Sequence, residues 1–245
     1  EQQQAAHDLA AAQAEEELFL AELTLDFSVA GHCAYVPLWQ HDDWEQGNPD
    51  READREANRW LRVLLQYLQW QQGGRNGRPW VRKAIWHMAH MDALIETFPD
   101  ATLIHSHRDP LASVSSFAKT MYELWSINNV VDKQAIAKGA LEYCAAETRR
   151  YIEARQRLKL DDQILDVSYD QVRTDAMGVI REAYARSRWP LTAEAEAAMQ
   201  HWEKTNEQGK HGKHEYSLEE FGYSKAMIDK AFAPYIEAFG HLFRK

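Results

Sequence analysis

Between residues 55 and 71 the apolar positions Trp60, Val63, Leu64, Tyr67 and Leu68 return at intervals of three and four, the period of an amphipathic helix, and Gly73, Gly74 and Gly77 mark its end. Upstream, residues 1–17 are rich in Gln, Ala and Glu and read as a polar helix, which residues 18–27 continue with apolar side chains. Residues 31–51 carry Tyr35, Pro37, Trp39, Trp44 and Pro49 with neither helical nor strand periodicity and read as an irregular aromatic loop. Downstream the apolar runs shorten. Residues 79–83 and 102–107 read as strands, separated by a helix over about 85–98 and a turn at Pro99-Asp100. Asp109 followed by Pro110 predicts a helix that begins at Pro110, where the fixed proline φ is already helical, with Asp109 as its N-cap. A long helix over 133–158, a strand over 163–168 and a mostly helical remainder with a glycine-punctuated loop over 206–216 complete the pattern. Strand and helix in alternation predict an α/β fold with a short parallel sheet. No repeat or linker divides the chain, so residues 1–245 are expected to form a single domain.

Composition narrows the function classes. The net charge of -10 and a pI near 5.6 argue against broad attraction to nucleic acid or to an anionic membrane, so any phosphate site must be a local cluster of cations. Cys33 and Cys144 are too few for a disulfide framework and lack the paired spacing of a zinc or redox site, which fits a reducing compartment. No apolar run approaches the ~20 residues that span a bilayer, and residues 1–17 lack the basic start and apolar core of a targeting signal. A soluble, cytoplasmic protein is expected.

The densest chemistry lies in residues 98–116, where Phe98-Pro99-Asp100 leads through residues 101–107 to Arg108-Asp109-Pro110, with Ser113, Ser115 and Ser116 following. Ligands of parallel sheets gather beyond the carboxyl ends of strands. Here such an end delivers Arg108 to the start of a helix, whose unpaired amides favour an anion. Ser116 comes seven residues after Asp109, close to two full turns, and Ser113 one turn earlier on the same face. Arg108 and these serines can therefore converge on one oxyanion. The same residues also suit a plainer arrangement, an arginine paired with a carboxylate ahead of a serine-rich helix start.

In its spacing, residues 98–116 resemble the 3'-phosphate-binding segment of sulfotransferases, where a strand ends in Arg, Pro follows two positions later and Ser eight positions later; Arg108, Pro110 and Ser116 match. The similarity is to the bacterial and carbohydrate-type branch and extends weakly over about residues 15–239. It implies a helix-rich, P-loop-NTPase-like sulfotransferase fold, with Arg108 and Ser116 holding the 3'-phosphate of 3'-phosphoadenosine 5'-phosphosulfate (PAPS). Trp80-Val81-Arg82-Lys83 followed by Ala84-Ile85-Trp86-His87 resembles the segment where the family places a Lys, then Ser-Pro, then a His; Ala84 and Ile85 depart from that pattern. The resemblance implies Lys83 as stabiliser of the leaving oxygen and His87 as the base, with His90 one turn on. Residues 165–170 resemble the strand-end segment in which a Tyr lies near the adenine and a neighbouring acid caps the next helix, which points to Tyr169. Residues 208–214 resemble the C-terminal glycine and basic loop over the 3'-phosphate, which points to Lys210 and Lys213. Each of these residues also has an ordinary alternative: a surface or core histidine, a packed tyrosine, a solvated basic loop. His211 and His214 have no partners at ligand spacing, so no metal is expected.

One part of the family pattern has no counterpart. None of the eleven glycines opens a Gly-x-x-x-x-Gly-Lys-[Ser/Thr] motif, and no Ser-Gly-Thr-Thr-like segment occurs. The N-terminal strand and phosphate loop that hold the 5'-phosphosulfate are therefore expected to lie outside this chain, on a missing N-terminal segment or a second polypeptide. The resemblance implies an enzyme that transfers sulfuryl from PAPS to a hydroxyl or amine of a small-molecule acceptor, with the aromatic residues between Tyr35 and Trp44 helping to form the acceptor pocket. The alternative is a non-catalytic, degenerate sulfotransferase-like nucleotide-binding or scaffold module. A nucleotide kinase fits less well, because it needs Walker-type cradling and Mg²⁺.

Overall fold

Two parallel strands lie at the heart of the structure, a computed structural model that describes residues 52–74, 79–127, 130–206 and 218–244. Strand β1 (Leu103–His107) pairs with β2 (Ile164–Ser168) in a register that sets Leu103 against Ile164 and His107 against Ser168. Around them, in chain order, stand α1 (Glu52–Gln71), α2 (Met91–Thr97), α3 (Pro110–Ser126), α4 (Lys133–Leu158), α5 (Tyr169–Thr174), α6 (Ala176–Ser187), α7 (Ala193–Thr205), α8 (Lys225–Ala231) and α9 (Ala233–Phe239), with short 3-10 turns at Ile85–Ala89, Glu219–Phe221 and Gly240–Leu242. The expected helix-rich α/β fold with a short parallel sheet is what forms.

Several elements begin and end where local chemistry dictates. Helix α3 starts at Pro110, and the Asp109 carboxylate accepts from the Leu111 N–H at 3.0 Å. Helix α4 runs the full 26 residues from Lys133, capped by Asp132, to a left-handed Lys159 at φ 55°. A tight turn follows, and the Gln163 side-chain amide donates to the Pro99 and Ala101 carbonyls at 2.8 Å, tying the start of β1 to that of β2.

The core collects Met91 and Leu94 of α2, Val114 and Ala118 of α3, Ala137, Ala140 and Tyr151 of α4, and Phe221, Ile228, Tyr235 and Phe239 from the C-terminal segment. The small residues Ala137, Gly139 and Ala140 give α4 a low surface against which α3 and the C-terminal turns pack.

Two expectations need correction. Residues 79–84 form no strand: they run without regular structure, Val81 is 88% exposed, and no described segment pairs with them. The expected helix over about 85–98 is instead a 3-10 turn at Ile85–Ala89 followed by the shorter α2. In α1 the face turned to the core is Ala57, Asn58, Leu61 and Leu65, whereas Trp60, Val63 and Tyr67 are each about half exposed. No helix among the described residues is long and apolar enough to cross a membrane.

Candidate anion site at the strand ends

The register of the sheet positions the site. Because His107 pairs with Ser168, the next residues along the two strands, Arg108 and Tyr169, leave the sheet side by side at its carboxyl edge. The Arg108 guanidinium lies over the Tyr169 ring at 4.6 Å, a cation–π contact that holds a charged head in a fixed place. Tyr169 opens α5, whose N-cap is Ser168, the Oγ accepting from the Gln171 N–H at 2.9 Å. The cap is therefore the serine before Tyr169 and not the acid after it.

At the start of α3 the structure revises the expected donors. Pro110 has no N–H; Leu111 donates to the Asp109 carboxylate, and Ala112 and Ser113 donate to the Asp109 carbonyl at 2.9 and 3.1 Å. The first-turn amides are taken up by the cap, so α3 offers an anion its dipole more than free N–H groups. The Ser113 hydroxyl also reaches the Asp109 carbonyl at 3.3 Å, and Ser115, fully buried, donates to the Leu111 carbonyl at 3.1 Å. Ser116, half-buried on the second turn, remains the serine suited to a ligand alongside Arg108.

Behind Arg108 runs a connected polar network that the sequence reading did not single out. The His107 imidazole is fully buried; its Nδ1 is 2.8 Å from the Tyr235 hydroxyl and its Nε2 is 2.8 Å from Asp166 Oδ1. Arg155 grips both Asp166 oxygens at 2.8 and 2.7 Å, and also donates to Asp161 at 2.7 Å and to the Tyr151 hydroxyl at 3.1 Å. Burial alone would raise the Asp166 carboxyl, but the bonds from His107 and Arg155 and the guanidinium charge outweigh it and hold it well below the usual carboxylate range. Asp166 is thus an anion at all working pH. A trace of it was in the sequence: a carboxylate between Leu165 and Val167, both buried, is an acid inside a strand that needs a cation.

His105, His107 and Asp166 form the one trio among the described residues whose ligand atoms lie within 4.8 Å of one another. Both carboxylate oxygens already face guanidinium donors, and both His107 nitrogens are hydrogen-bonded. The trio is built as a hydrogen-bond network, and a dication there would sit against the Arg155 charge.

A second cation stands on the other side of Asp109. Arg244, near the C-terminus, places Nε 3.4 Å from Asp109 Oδ2 and Nη2 2.6 Å from Asp229 Oδ1. It offsets the carboxylate next to the anion site. Sequence reading missed Arg244 because nothing local connects it to Asp109, 135 residues away.

Of the expected site residues, the structure brings Arg108 and Tyr169 into contact and sets Ser116 on the helix that Arg108 leads into. Lys83 is exposed at the end of the irregular segment 79–84, and His87 lies on the 3-10 turn Ile85–Ala89, which packs on α4 and α2. His90 Nδ1 is 2.6 Å from Asp54 Oδ2, joining α2 to α1, a structural contact. Lys210 and Lys213 lie outside the described residues, as do His211, His214 and the aromatic stretch from Tyr35 to Trp44. Burial pushes the Cys144 thiol up to about 12, which leaves it without thiolate character.

Comparison with known proteins gives the site its setting. The sequence model of the sulfotransferase family matches residues 1–193. The crystal structure of sulfotransferase STF9 from Mycobacterium avium superposes with a TM-score of 0.79 at 25% identity, over 97% of this chain and 62% of that one. Sulfotransferase STF1 from Mycobacterium tuberculosis H37Rv gives a TM-score of 0.70 at 24% identity, over 95% of this chain and 60% of that one, and speaks for the fold alone. The chain thus spans about three fifths of the length of each. No curated protein matches it significantly.

Proposed function

The chain belongs to the sulfotransferase family, and from that premise we propose that it serves sulfuryl transfer from PAPS to a hydroxyl or amine acceptor, holding the 3'-phosphate side of the donor. The observation that carries the reading is the pairing of Arg108 with Tyr169 at the carboxyl edge of the parallel strands, 4.6 Å apart and beside the positive end of α3. A guanidinium fixed by an aromatic face suits the planar recognition of phosphate oxygens. In this reading Ser116 adds a hydroxyl, Tyr169 is assigned to the adenine, and Lys210 and Lys213, outside the described residues, are assigned to the 3'-phosphate.

In the reaction the acceptor heteroatom bonds to sulfur as the bond from sulfur to the 5'-phosphate oxygen breaks. The acceptor's proton passes to His87, and the electron pair leaves on the phosphate oxygen, whose charge Lys83 meets. The step proceeds in line and needs no covalent intermediate. The sequence contains no glycine-rich phosphate loop, so the phosphate whose binding is assigned to this chain is the 3'-phosphate.

Calorimetry with 3'-phosphoadenosine 5'-phosphate (PAP), 5'-AMP and ATP tests this. PAP is expected to bind in preference to both others, and Arg108→Ala to abolish the preference. Equal binding of PAP and 5'-AMP by the unsubstituted chain sinks the reading.

A further inference from the structure

Arg108 can hold a phosphate only if its backbone is held, and its amide has passed the end of the ladder, since His107 and Ser168 are the last paired residues. The side chain of His107, the residue before Arg108, is fully buried, and Tyr235 of α9 stands against it. The Tyr235 oxygen lies in turn 2.8 Å from His107 Nδ1.

The polarity of this chain of bonds follows from its far end. Asp166 is an anion held on both oxygens by Arg155, so it can only accept, and His107 Nε2 must donate to it. His107 Nδ1 is then the acceptor, and Tyr235 donates its O–H there. Tyr235 thus donates to His107 and His107 to Asp166, which also accepts from Arg155. The rings are fixed as well: Phe239 stacks on His107 at 4.3 Å, and Phe243 on Tyr235 at 5.6 Å.

We propose that Tyr235 is a positioning residue for the anion site, its hydroxyl locking His107, and with it the adjoining backbone of Arg108, to the buried Asp166–Arg155 pair so that the guanidinium meets the 3'-phosphate pre-oriented. This rests on the reading of Arg108 as the 3'-phosphate ligand. Pre-orientation lowers the entropy lost on binding, so its removal shows up as lost preference for the 3'-phosphate.

The test is a double-substitution cycle read by calorimetry as the ratio of PAP to 5'-AMP affinity. Tyr235→Phe keeps the ring and its stacking but leaves His107 Nδ1 without its partner; the ratio is expected to fall about tenfold. Because Tyr235 acts through Arg108, adding Tyr235→Phe to Arg108→Ala should change the ratio no further. A purely structural role would instead lower the melting temperature and leave the ratio of the folded fraction intact. If the unsubstituted chain shows no PAP preference, the functional reading fails and this proposal with it. If Arg108→Ala loses the preference but folded Tyr235→Phe keeps it, the positioning role alone is overturned. The ¹⁵N resonances of His107 in the unsubstituted protein give an arm that needs no variant: the relay requires the Nε2–H tautomer, and the Nδ1–H tautomer overturns it.

Discussion

His105 and His107 sit two apart on one face of β1, yet their surroundings give them different roles. His107 has a partner on each nitrogen, whereas the buried His105 Nδ1 has none among the described residues, its ring meeting Tyr151 edge-on at 4.6 Å and His107 at 4.0 Å. Burial, and then the neighbouring His107, push His105 down to about 3 against the pull of Asp166. The imidazole therefore stays neutral in the folded protein across the whole range in which the unfolded chain takes up a proton. The unfolded state binds the extra proton from about pH 6.5 down to about 3, so stability falls as pH drops through that window. One such proton contributes a slope of at most about 1.4 kcal/mol per pH unit. Urea unfolding of the unsubstituted chain and of His105→Phe between pH 7 and pH 4 should diverge, with the variant losing less stability on acidification; parallel curves would remove His105 as the source.

Among the elements, α3 depends most directly on one residue. Asp109 accepts the Leu111 N–H through its side chain and the Ala112 and Ser113 N–H groups through its carbonyl, and its carboxylate is faced by Arg244. Asp109→Ala is expected to lose about 0.5–2 kcal/mol, while Asp109→Asn keeps an acceptor at the cap and stays within a few tenths of the parent. Urea midpoints measure both, and an alanine variant as stable as the parent would show that Pro110 suffices to start the helix. Such starts were legible in the sequence because a cap is a local device: Asp109-Pro110 and Asp132-Lys133 each announce the helix that follows. The segment 79–84 was not, because a strand exists only through its partner, and Trp80 and Val81 are exposed here with nothing paired to them among the described residues. Helix α1 shows the same limit in another form. Its sequence carries two apolar stripes of helical period, and only the non-local fit of Ala57, Leu61 and Leu65 decides which one turns inward.

At the scale of the molecule, the C-terminal segment 218–244 does more than its sequence announces. It lies beyond the residues matched by the family model, yet it supplies Phe221, Ile228, Phe232, Tyr235 and Phe239 to the main core. Through Tyr235 it also reaches His107, the residue before Arg108, and through Arg244 it reaches Asp109. Helices of seven residues are too short to show a sustained apolar stripe, so the sequence reads as merely helical there, and the long-range contacts stay hidden. Phe221 is the point where this dependence can be measured. It is 1% exposed, stacks on Tyr223 at 6.2 Å and lies under Lys133, while the Tyr223 hydroxyl donates to the Ala137 carbonyl of α4 at 2.6 Å. Truncating a buried ring of this kind costs about 3–5 kcal/mol, a large share of the roughly 5–15 kcal/mol that holds a typical domain folded. Phe221→Ala should therefore unfold at markedly lower urea, and because the same segment carries Tyr235 to His107, beside Arg108, its PAP preference should disappear at the urea concentration where the core is lost. A variant that loses less than about 1 kcal/mol, or that keeps binding PAP after the core signal has gone, would mean that the C-terminal turns pack on the molecule without forming part of its cooperative unit.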